Sequence, residues 1–132
     1  MRIALTASAS GMAFFLAAVS LSAHHSFTAE FDAGKPIKVS GAVTKVEWKN
    51  PHVYFFVDVT DPSGSVANWA FEMGSPNGLM REGWTRNTLK VGDTVSVEGS
   101  RAKDGALLGN ARVVVLASTG QRLFAATSQG NP

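Results

Sequence analysis

The chain carries three histidines, and two are adjacent: His24 and His25 stand in AHHSFTAEFD, while His52 follows the Asn50-Pro51 turn in KNPHVYF. Imidazole is the commonest side-chain ligand for transition metals, so the pattern raises metal chemistry first. The residues ahead of the pair sharpen the point. Met1-Arg2 supplies a short basic start, and IALTASASGMAFFLAAVSL then runs from Ile3 to Leu21 without a charge before small residues follow. This is the pattern of a secretory signal peptide over residues 1–23, removed near Ala23. A protein processed there begins at its histidines.

Two processing positions give two ligand sets. Cleavage after Ala23 makes His24 the first residue, whose amine and ring Nδ1 chelate one metal while a ring from His52 or His25 completes a three-nitrogen set. Cleavage after Ser22 makes His25 the third residue, where an amine, two deprotonated amides and an imidazole form a planar four-nitrogen site. Planar nitrogen donors favour Cu(II), the tightest-binding divalent ion of the first-row series. Copper is therefore the expected cofactor, with His24, His25 and His52 as candidate ligands. Met73 and Met80 could add soft donors for Cu(I), although core packing explains them as well. The opposing reading is that histidines at a chain end or after a turn simply bond a loop carbonyl and hold no metal.

Aromatic residues form the second chemical feature. Tyr54, Trp69 and Trp84, together with Glu72, make a candidate ligand face, because aromatic rings stack on sugars and on peptide side chains. Trp48 and Trp69 also suit the interior, whereas Trp84, between Gly83 and Arg86, is expected partly at the surface. Enzyme signatures are poor. Glu30, Asp32, Glu47, Glu72 and Glu82 show no spacing that identifies an acid/base pair. No serine lies in a nucleophile elbow, and the glycines near Pro76 lack the lysine of a phosphate loop. The functional class expected is a binding protein. Its alternatives are a metal-free module for a protein, peptide or glycan, and an oxidative copper enzyme, which would need an open coordination position and a substrate surface.

Composition narrows the partners. The chain has 132 residues with 12 Lys+Arg and 10 Asp+Glu. Removing residues 1–23 leaves 132 − 23 = 109 residues and, without Arg2, a net charge of 11 − 10 = +1. The basic residues are scattered, so nucleic acid is not an expected partner. The absence of cysteine excludes disulfides, thiolate metal sites and a lipidated cysteine. The processed protein is expected to be soluble in the periplasm or the medium, with no membrane attachment.

These residues must be positioned by short strands. PIKVSGAVTKVEW places Ile37, Val39, Gly41 and Val43 on one face and then changes phase near Thr44 and Lys45, which marks a bulge or sharp bend. HVYFFVDVT and VANWAFEM alternate as two further strands around the DPSGS turn. Ser75-Pro76 then opens a short helix. DTVSVEGSR, the KDG turn at Lys103 to Gly105 and LLGNARVVVL form a hairpin, and QRLF offers a sixth short strand. Strands are expected to start near Ile37, Val53, Val66, Thr94 and Leu107, with the helix over Pro76–Arg81. Val43, Phe55, Val57, Trp69, Phe71, Val95, Val97 and Val113 are the expected core. The order is that of an all-β, OB-like barrel of five to six strands with one short helix between strands three and four. The barrel should occupy 36–124, after an N-terminal arm at 24–35 and before a disordered tail at 125–132.

Through AHHSFTAEFD, VTKVEWKNPHVYFFVDV, NWAFEMGSPNGLMREGWTRNTLKVGDTVSVEGSRAKDG and NARVVVL the chain resembles a family of small exported bacterial proteins of unknown function. Its members commonly begin Ala-His-His-Ser and carry an Asn-Pro-His turn. The resemblance spans roughly Ala23 to Phe124 and implies export and a small β-barrel-like fold. It implies no activity.

Overall fold

The alternating segments pair as the sequence requires. The computed structural model describes residues 27–127. A helical turn over 27–30 leads into β1 (Phe31–Glu47), followed by β2 (Tyr54–Thr60), β3 (Val66–Glu72), α1 (Pro76–Arg81), β4 (Thr94–Ala102), β5 (Leu108–Leu116) and β6 (Arg122–Phe124). The strands pair antiparallel, except that β3 and β5 run parallel over Ala70–Glu72 and Leu108–Asn110. The pairings close a ring, β1–β2–β3–β5–β4–β1, and β6 adds to β5 outside it. This is an OB-like barrel with a sixth strand.

The bend read from the phase change lies in β1. Its first part pairs with β4, from Phe31 opposite Ala102 to Ala42 opposite Thr94. The remainder pairs with β2, and the register slips between Val43 and Lys45. Gly41 lies just before the crossing, where a Cβ would collide with the Asp58 carbonyl oxygen. Glycine is needed there because backbones approach more closely than a side chain allows. Gly99, beside a second slip in β4, similarly faces the Asn110 carbonyl.

The helix follows its cap chemistry. Ser75 Oγ accepts the Gly78 N–H at 3.1 Å, and Pro76 occupies the first position, where no donor is missed. The chain leaves α1 through Gly83, whose φ is +94°, a conformation glycine adopts without strain. Leu79 and Trp84 are buried on the barrel side.

All eight expected core residues are buried. Val113 and Val114 are both buried although neighbours on a strand face opposite ways, so β5 is covered on both faces. Two expectations are corrected at the ends of the barrel. β1 begins at Phe31, not near Ile37: Phe31 is buried and pairs with Ala102, while an Asp32 side-chain turn and a register shift before Pro36 interrupt the alternation. The tail expected from Ala125 is ordered into the fold through its first residues. Ala125 is buried, and its backbone bonds Arg112 and Gly74. Residues 128–132 lie outside the described residues, as do the expected signal segment 1–23 and residues 24–26.

Phe55 fills the barrel centre, fully buried and stacked on Phe71 at 5.3 Å. Phe55→Ala is expected to cost about 3–5 kcal/mol in denaturant unfolding. A loss below ~1 kcal/mol would show that Phe55 is not a core anchor. Gly41→Ala, which adds only one methyl, should destabilise by about 1–3 kcal/mol through the forced separation of β1 and β2.

Candidate functional site

The site assembles where the β1–β2 loop meets the exit of β3. Val53 donates to the Gly74 carbonyl and accepts from the Met73 N–H, which fixes His52 opposite Met73. The His52 ring nitrogen Nδ1 lies 2.9 Å from the Met73 carbonyl oxygen. A carbonyl can only accept, so Nδ1 carries the proton and donates. In a neutral ring Nε2 is then the unprotonated nitrogen, with a lone pair available to a ligand. Glu72 Oε1 lies 3.5 Å from the same Nδ1 and assists less.

Strand register supplies the rest. Glu47, Tyr54, Glu72 and Asn110 are successive cross-strand partners on β1, β2, β3 and β5, and such partners share a face. Tyr54 donates its hydroxyl to Glu72 Oε2 at 2.6 Å, and Asn110 Nδ2 lies 3.4 Å from Oε1. Next to this polar row lies Lys45–Phe56–Ala70–Leu108, apolar from Phe56 onward, with the Lys45 ammonium over the Phe56 ring. A pocket of about 220 Å³ opens beside His52 and Glu72, bordered by Phe27, Pro51, Asn110 and Thr127.

The electrostatics there are negative. Partial burial, then repulsion from Glu72 and Asp104, raises the Glu30 carboxyl above the usual carboxylate range, with His52 opposing. The Lys103 N–H donates to the Glu30 carbonyl, tying the helical turn to the β4–β5 hairpin. Burial, followed by the hydrogen bond to and charge of Glu72, pushes the Tyr54 phenol well above its ordinary value.

The expected residues are thus partly gathered and partly dispersed. His52, Tyr54 and Glu72 converge. Trp69 is only 9% exposed, and its ring stacks under the Arg101 guanidinium at 5.1 Å. Trp84, expected partly at the surface, is buried and donates its indole N–H to the Phe124 carbonyl at 2.9 Å, so it is structural. Met73 gives its carbonyl to His52 while its side chain joins the core, and Met80 is exposed on α1. His24 and His25 lie outside the described residues. Among the described residues no group of three or more His, Cys, Asp or Glu is placed to hold a metal. Asn110, Glu30, Phe27 and Thr127 were not expected at the site; only the parallel β3–β5 register and the ends of the described chain bring them there.

A model of the Family of unknown function DUF6152 matches residues 13–111. The chain belongs to this family. The match runs through the His52 turn, Tyr54, Glu72 and Asn110 and ends within β5. No curated protein matches the chain.

Tyr54 is the chain's single tyrosine, so its ionisation can be followed by tyrosinate absorbance alone. A folded-state pKa raised above the unfolded value of about 10 contributes stability that is present below pH ~10 and is lost as pH climbs toward the folded value. The folded protein should therefore form tyrosinate at distinctly higher pH than the unfolded chain. Glu72→Gln should move that onset downward, since it removes the adjacent negative charge. Coincident titrations of folded and unfolded protein would contradict the Tyr54–Glu72 pairing.

Proposed function

We propose that this is an exported binding protein that holds Cu(II) with the histidines of its processed N-terminus and His52. The observation carrying the reading is the 2.9 Å contact of His52 Nδ1 with the Met73 carbonyl. Donation from Nδ1 to a backbone carbonyl orients the ring and leaves Nε2 free, which is the arrangement of metal-ligating histidines. A second support is chain connectivity. His25 precedes Phe27 by two residues, and Phe27 borders the His52 pocket. At no more than ~3.6 Å per residue, His24 and His25 are tethered within about 11 Å of Phe27 along the chain.

In the brace form, His24 supplies its amine and ring Nδ1 and His52 supplies the second ring, with His25 in reserve. In the third-position form, His25 completes a four-nitrogen set with the terminal peptide, and His52 is not required. What bound copper would supply is a Lewis-acidic, redox-active centre. The residues named here bind and orient it.

A metal-free interaction module is the second reading. It is favoured by the half-exposed Phe56–Ala70–Leu108 row beside Tyr54 and Glu72. Of the four residues first assigned to a ligand face, Trp69 and Trp84 are buried and leave Tyr54 and Glu72 to serve it.

Titration calorimetry on correctly processed protein should give one Cu(II) per chain. One extra residue ahead of the natural N-terminus should weaken uptake at least tenfold, because it displaces the amine while leaving every side chain in place. His52→Ala should weaken the brace and leave the third-position site intact. Uptake should rise with pH through about 6.5, where free imidazole loses its proton. No uptake at micromolar copper, or equal uptake by the extended chain, would transfer the assignment to the metal-free module.

A further inference from the structure

We propose that the pocket beside His52 is a seat for a small protonated amine, with Glu72 as its anchoring carboxylate and the Thr127 hydroxyl as a second acceptor. The inference does not rest on the copper reading, because it uses a carboxylate oxygen and not the ring nitrogen. Glu72 is largely buried, its side chain only 12% exposed. Its Oε2 is occupied by the Tyr54 hydroxyl at 2.6 Å. Among the described residues its Oε1 has only long contacts, 3.4 Å to Asn110 Nδ2 and 3.5 Å to His52 Nδ1, whose proton is directed to the Met73 carbonyl. That oxygen can accept a shorter, stronger bond.

Among the described residues Lys45 and Lys49 pair with Glu47, Lys38 and Arg122 pair with Glu98, and no lysine or arginine makes a salt bridge to Glu72 or Glu30. A carboxylate taken from water without a full counter-charge is costly, so a cation entering here recovers part of that cost. Thr127 adds a hydroxyl, Oγ1, that is buried and unbonded among the described residues, and Thr127 borders the same pocket. An ammonium has three donors and no acceptor, which suits a carboxylate oxygen and a hydroxyl together. Phe27 offers an aromatic wall that cations favour.

Size selects the ligand. At about 220 Å³ the pocket is smaller than the ~300–1,000 Å³ of sites for drug-sized molecules, so an alkylammonium or a single basic group fits. That group can come from a free amine or from the chain's own residues ahead of Phe27.

The probe is ethylammonium chloride added to chelator-treated, metal-free protein, with sodium chloride as the ionic-strength control. The readout is the NMR signal of the Asn110 side-chain amide. Two forms are compared, one beginning at Ala23 and one at Ser26; the second keeps every residue of the described fold. The Ser26 form should show a saturable shift, weakened at least tenfold by Glu72→Gln and about threefold by Thr127→Val. If the chain fills its own seat, the Ala23 form should show the shifted signal before any amine is added and should take up ethylammonium poorly. If a free amine is the ligand, both forms should respond alike. No saturable shift in either form, or a shift indifferent to both substitutions, would overturn the proposal. Should Glu72→Gln fail to fold, Thr127→Val decides. Copper uptake persisting after such a failure would leave the copper reading intact.

Discussion

A strand has two edges, and β1 spends them on different partners. Along Phe31–Ala42 it bonds to β4, and along Ala42–Glu47 it bonds to β2. The crossing from one edge to the other is possible only because the backbone slips between Val43 and Lys45 and because Gly41 leaves room for the Asp58 carbonyl. This turn directs the β2–β3 hairpin around the core until β3 meets β5 and the ring closes. Without it the same strands would form an open sheet, with Phe55, Val57 and Trp69 exposed on one face. The hydrophobic gain of closing the barrel therefore hangs on a local event in one strand.

The site inherits its geometry from that closure. Tyr54 and Glu72 meet because β2 and β3 are a hairpin, but Asn110 joins them only through the parallel β3–β5 contact. His52 is placed by backbone bonds between Val53 and the exit of β3, which do not depend on its own side chain. The ring is then oriented by one nitrogen, through the Met73 carbonyl. Burial and the charges of Glu72 and Asp104 together raise the Glu30 carboxyl, an electrostatic cost that the barrel's packing does not require. Local conflict of this kind is what sets functional sites apart from the scaffold around them.

Much of the scaffold was legible because period-2 alternation and turn chemistry are local signals. The phase change at Thr44 marked the bulge, Ser75-Pro76 marked α1, and Lys103-Asp104-Gly105 marked the hairpin. Phe31 was missed because Asp32 and Gly34 make a side-chain turn inside the strand and break the alternation that would have revealed it. Trp84 was misplaced because polar neighbours in sequence, Gly83 and Arg86, say nothing about a carbonyl on β6 that waits for its indole. Within the site, the histidine turn and the Tyr54/Glu72 alternation could be read. Asn110, Glu30 and Thr127 could not, because each arrives by a contact between segments distant in sequence.

The ring also determines how the chain must fold. The β1–β2, β2–β3, β4–β5 and β5–β6 ladders join neighbours, but β1 must also find β4 beyond two intervening strands and a helix, and β3 must find β5 in parallel alignment. Each such encounter loses loop entropy before its hydrogen bonds and buried side chains return anything. Chains governed by remote pairings of this kind fold in milliseconds to seconds, far more slowly than helical proteins of equal size. While β1 and β4 are still apart, Phe31, Val95 and Val97 face water, and any factor that shields those strands in the meantime serves the yield of native protein.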